Sequence, residues 1–111
     1  MALHHAESGE IVDIRPLGKQ LKDSIATTLV KTGKMQVFRF ILLKGAEFGE
    51  HKVHGEITVQ CLEGVVEFSS GARKQTLRAG ELVYLEGDAP HALKGIEDSS
   101  VLVTIVAAHQ A

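Results

Sequence analysis

Eleven glycines cut this chain of 111 residues into short apolar runs that lack helical periodicity. The runs lie at 25–31, 34–43, 57–62, 65–69, 74–78, 82–85, 91–94 and 101–107. They are rich in β-branched and aromatic residues. Thr32-Gly33, Gly45, Gly64, Ser70-Gly71, Gly80 and Gly87-Asp88 separate them. Many short strand-forming runs divided by turn residues predict an all-β sandwich or barrel of antiparallel strands. Only 16–23 suits a helix, a short one with Pro16 in its first turn. Residues 1–10, with His4 and His5, read as a loose tail, and 11–111 as a single domain. His109, at the other terminus, is expected in solvent.

The composition excludes several classes. Hydrophobic residues make up 44% and charged residues 23%, the balance of a globular protein. A formal net charge of −2 offers no electrostatic footprint for nucleic acid. No apolar run approaches the roughly 20 residues that span a bilayer, so no membrane partner is expected, and no charged-then-apolar leader opens the sequence. The one cysteine, Cys61, cannot close an intrachain disulfide, which suits a reducing cytoplasm.

The run 34–43 is apolar on both faces, with Met35, Val37, Ile41 and Leu43 on one and Phe38, Phe40 and Leu42 on the other. A strand of this kind is covered twice, by a core and by a second subunit, so a homodimer is expected. Arg39 interrupts it and must find solvent or a carboxylate, with Glu56, Glu67 and Glu97 as structural partners and a substrate carboxylate as the sharper alternative.

The histidines form two glycine-framed clusters. The first runs Gly45, His51, His54, Glu56, Gly64; the second runs Gly80, Pro90, His91. Histidines brought together from separate β segments are a common way to build a metal or catalytic pocket. The two clusters resemble the two motifs of the cupin superfamily, small jelly-roll barrels also described as double-stranded β-helices. Gly45, His51 and Gly64 fall in register on the first motif, and Gly80 and His91 on the second. The resemblance covers about residues 35–107 and implies that fold.

The resemblance also exposes departures. Val53 stands where the family has its second histidine, and Ile57 where it has its glutamate. Gly95 replaces the asparagine of the second motif, while Glu86 and Asp88 replace its proline and glycine. His51 and His91 are the ligands retained in register. His54 and Glu56 lie one residue off, which in a regular strand turns a side chain to the opposite face. A turn or bulge at Gly55 would re-aim His54 inward and complete a site of His51, His54 and His91. Three imidazoles suit a divalent transition metal such as Zn, Ni, Fe, Mn or Cu. The expected pocket is lined by His51, Val53, Ile57, Val59, Cys61, Tyr84 and His91. A buried structural thiol is the simpler role for Cys61, as a core position is for Tyr84.

Fold analogy does not choose a reaction. The resemblance implies a small protein that binds a small organic molecule in its barrel, with or without a histidine-bound metal. A metal-dependent dioxygenase or isomerase and a metal-free acid–base enzyme using His51 or His91 are the alternatives.

Overall fold

The computed structural model describes residues 4–51 and 53–107, and of Glu50 and His51 the backbone alone. His109 lies outside the described residues. The chain forms β1 (Thr27–Lys31), β2 (Met35–Leu42), β3 (Glu47–His51), β4 (Gly55–Glu63) and β5 (Val65–Ser70). β6 (Arg73–Arg78), β7 (Leu82–Leu85), β8 (His91–Gly95) and β9 (Ser99–Ala107) follow. A larger sheet has the order β1-β2-β9-β4-β7 and a smaller one the order β3-β8-β5-β6. Neighbouring strands are antiparallel throughout. The expected all-β jelly roll is the fold of this chain.

β3 is a strand that the apolar pattern does not announce. Its sequence, Glu-Phe-Gly-Glu-His, carries one strong strand former. It sits at the edge of the smaller sheet, paired with β8 alone, where a polar, glycine-containing segment is tolerated. The short helix spans Gly18–Asp23 and is of the 3-10 type. In the amino-terminal segment the Ala6 amide donates to the Leu29 carbonyl at 2.8 Å, and His4 pairs with Glu10.

The core lies between the sheets. β4 alternates strictly, burying Ile57, Val59 and Cys61 while Glu56 faces outward. Leu42, Val101 and Val103 extend this layer, and Val66, Phe68, Leu77 and Leu93 oppose it. On β2, Phe38, Phe40 and Leu42 face inward, which sends Met35, Val37 and Arg39 to the outer face of the sheet. The double apolarity of β2 thus divides between the barrel interior and an outer surface.

Three motif positions owe their residue types to backbone geometry. Gly64 has φ +83°, and a Cβ there would lie 2.3 Å from the Asp98 carbonyl oxygen. Gly95 is buried where the family has asparagine, and a Cβ would lie 2.4 Å from the Leu43 carbonyl oxygen. Asp88, standing at a family glycine, has φ 65°. Aspartate tolerates the left-handed region better than most residues, so the turn survives this substitution.

Candidate functional site

The barrel interior opens into a cavity of ≈ 50 Å³. Phe38, Phe40, Ile57 and Val59 of the larger sheet line it together with Val53 and with Phe48 of the smaller sheet. Leu93, Val103 and Ile105 complete an apolar wall, and His91 is the polar side chain in it. The Phe38 and Phe40 rings meet edge to face at 4.7 Å, and Phe40 lies 4.9 Å from Phe48. A cavity of this size accommodates a few water-sized groups.

His91 is 2% exposed and starts β8 directly after the Pro90 turn. Its Nδ1 lies 3.2 Å from the Ala89 carbonyl oxygen. A carbonyl only accepts, so Nδ1 carries the proton and, in the neutral ring, Nε2 is the nitrogen able to accept a hydrogen bond or ligate. The ring stacks on Phe68 at a centroid distance of 6.3 Å. The Ser70 hydroxyl donates to the Pro90 carbonyl at 2.7 Å and fixes the turn that delivers the imidazole.

His51 shares a rung with His91 in the β3–β8 ladder. The register shifts between Phe48 and His51, where β3 carries one residue more than β8. That bulge brings the two histidines into register from strands far apart in sequence.

Val53, Ile57, Val59 and His91 line the cavity, while two residues expected in the pocket, Cys61 and Tyr84, stand elsewhere. Cys61 is fully buried farther along β4, its thiol donating to the Glu63 and Gly64 carbonyls. Burial pushes that thiol above the usual cysteine range, beyond what the Glu63 carbonyl contact offsets. Tyr84 is 56% exposed because Val83 and Leu85 take the inward face of β7, and its hydroxyl donates to Glu56 at 2.5 Å.

His54 also faces outward. Its side chain is 72% exposed, with Nδ1 3.3 Å from Asp88 Oδ1. Gly55 does adopt φ +153°, but the reason is a close approach to β9: a Cβ would lie 2.1 Å from the Val106 carbonyl oxygen. The glycine seats the start of β4 against Val106 and leaves His54 outside. The inward turn expected of His54 is therefore corrected.

The metal set implied by the resemblance does not fit these residues. Val53 and Ile57 put apolar carbons at two of its positions, while His54 and Glu56 point away from the cavity. Among the described residues, no three His, Cys, Asp or Glu side chains converge on a metal-sized site.

Arg39 is the functional candidate whose partners sequence reasoning misplaced. It bonds to none of Glu56, Glu67 and Glu97; its Nη2 donates to the Arg15 carbonyl at 3.0 Å. Glu63 anchors the same region. Its carboxylate accepts from the Leu17 and Gly18 amides at 2.9 and 3.0 Å and from the Ser100 hydroxyl at 2.5 Å. Burial raises its pKa, but these bonds and the charge of Arg39 together outweigh that and hold it below the usual carboxylate range.

Comparison with known proteins agrees with this architecture. The model of the cupin domain matches residues 38–107. No curated protein matches the chain. Among solved structures, a conserved protein of unknown function from Streptococcus pyogenes is similar at 23% identity, with 99% of this chain and 98% of that one covered and a TM-score of 0.75. A cupin superfamily protein from Desulfitobacterium hafniense is similar at 16% identity over 93% and 100%, with a TM-score of 0.77. An RmlC-like cupin with a double-stranded β-helix fold, from Methanocaldococcus jannaschii, is similar at 16% identity over 89% and 94%, with a TM-score of 0.73. At these identities the likeness is one of fold.

Proposed function

Because the chain belongs to the cupin family, we propose that it uses its barrel interior to bind a small, largely apolar organic molecule, held by one polar contact at His91. The observation that carries this reading is the wall itself: among the described residues, aromatic and aliphatic side chains surround the buried imidazole of His91. Apolar lining supplies affinity and one convergent polar group supplies orientation. His91 Nε2 accepts a hydrogen bond from a hydroxyl on the ligand, while the Ala89 carbonyl holds the tautomer that makes this possible.

Isobutanol, an apolar tail with one hydroxyl, is a suitable probe. The expected result is a rise in melting temperature with isobutanol concentration that persists in chelator and is reduced in His91→Leu. No stabilisation, or stabilisation that chelator abolishes, contradicts the reading.

The shared rung of His51 and His91 favours a second reading, in which this pair holds a divalent transition metal weakly. Two imidazoles without a carboxylate make a labile site, open to exchange with buffer. Elemental analysis of tag-free protein after dialysis against zinc or nickel tests it: a bound fraction that rises with metal and disappears in His91→Ala supports the pair, and none contradicts it.

A homodimer through the outer face of the larger sheet is the corresponding proposal for assembly. Met35 and Val106 are direct partners across β2 and β9, and remain 37% and 48% exposed. Val106→Glu is expected to convert a dimer to monomer in light scattering. A wild-type protein that is monomeric at high concentration overturns the proposal.

A further inference from the structure

On the outer face of the larger sheet, away from the barrel interior, Arg39 contributes to the wall of a second cavity, of ≈ 350 Å³. The residue is 8% exposed, so its charge is taken largely out of water. One nitrogen, Nη2, is satisfied by the Arg15 carbonyl. Nε is buried with no acceptor, and the guanidinium makes no ion pair among the described residues. A buried cation in that condition is expensive unless an anion completes it.

The two carboxylates whose charges act on Arg39 and its surroundings are already committed. Glu63 spends both oxygens on the Leu17 and Gly18 amides and the Ser100 hydroxyl. Asp13 is clamped by the backbone amide and guanidinium of Arg15. The cavity hydroxyls have also placed their protons, Ser24 on the Gln20 carbonyl and Thr27 on the Ile25 carbonyl. Among the described side chains that line the cavity, Arg39 thus keeps a buried donor without an acceptor.

The rest of the wall defines that acceptor. Leu17, Ile25 and Leu29 are apolar, and Ile25 is left 74% exposed. Asp23 adds a negative charge to the lining, which opposes a dianion such as phosphate more than a monoanion. We propose that this cavity is a binding site for a small aliphatic monocarboxylate, its carboxylate on the Arg39 guanidinium and its alkyl chain against Leu17, Ile25 and Leu29. Arginine donors match a planar carboxylate in geometry as well as in charge. The site is independent of the barrel interior and of the reading given to it.

The Arg39 Nε–H resonance reports on the guanidinium in a proton–nitrogen correlation spectrum. Titration with acetate, butyrate and hexanoate is expected to shift it saturably, with affinity rising about fourfold per added methylene. Arg39→Gln removes the probe and the site together, so two exposed positions carry the test. Ile25→Glu, with an unchanged melting temperature, is expected to abolish hexanoate binding, and Asp23→Asn to tighten it. No shift, or equal unsaturable shifts for acetate and hexanoate, overturns the proposal. So does a resonance that moves on dilution of ligand-free protein, which assigns the acceptor to a second copy of the chain.

Discussion

His51 and His91, forty residues apart in sequence, occupy one rung of the β3–β8 ladder. The bulge before His51 sets that register, and Ser70 fixes the turn before His91. The two histidines that fall in register on the cupin motifs are therefore paired at the backbone, while Val53 and Ile57 stand at the other two positions. Val53 and Ile57 give the cavity wall its carbon surface.

This contrast yields a gain-of-function prediction. The double variant Val53→His, Ile57→Glu places two more ligands beside the histidine pair. Without metal it is expected to lose several kcal/mol of stability, because a buried carboxylate lacks a partner. A stoichiometric divalent ion is expected to restore the loss, with tight binding seen by calorimetry. Failure to gain affinity over the wild type shows that the rung does not present its histidines to the interior.

Gly95 carries a different kind of constraint. Its amide donates to Ala46 and its carbonyl accepts from Gly45, so neither backbone can retreat freely from an added side chain. Gly95→Ala is expected to destabilise by about 1–3 kcal/mol, the usual effect of overpacking. Denaturant unfolding checks this, and a change near zero contradicts the close approach of residues 42 and 43.

Glu63 gives stability an acid dependence. Its folded pKa is lowered from 4.5, so the unfolded chain binds the proton more readily. The contribution is full above the unfolded pKa and is lost as pH falls through the folded value. Stability is expected to fall on acidification below about pH 4.5, with a shallower fall in Glu63→Gln. Chemical denaturation at several pH values measures both slopes; identical slopes contradict the assignment.

Tyr84 is the one tyrosine of the chain, so its ionisation is spectroscopically isolated. The hydrogen bond to Glu56 raises its pKa above 10.0, with smaller contributions from burial and carboxylate charge. The linked stability is present below the unfolded pKa and is lost as pH rises through the folded one. Ultraviolet titration is expected to show a late phenolate midpoint in the wild type and an earlier one in Glu56→Gln. Equal midpoints contradict the contact.

Much of this was legible in the residues, for identifiable reasons. β4 announces itself because Ile57, Val59 and Cys61 alternate with polar neighbours. β7 announces its place but not its inward face, because Leu82 and Tyr84 carry apolar surface as Val83 and Leu85 do, so the alternation chooses neither side. That is why Tyr84 was expected in the pocket. Counting alternate residues from His51 does not give the inward face of residues 57–61, because β3 ends at His51 and β4 starts afresh at Gly55. Ile57 and Val59 still fall inward because β4 sets its own phase. The role of Gly55 depended on Val106, and the partners of Arg39 on Arg15, and long-range contacts of that kind leave no local signature.

The most direct test of the barrel reading is a methyl-resolved NMR titration with isobutanol in the presence of chelator. The account predicts saturable shifts confined to Val53, Ile57, Val59, Leu93, Val103 and Ile105, with a simultaneous change at the His91 ring nitrogens. Shifts on the outer faces alone, or none at those methyls, would contradict it.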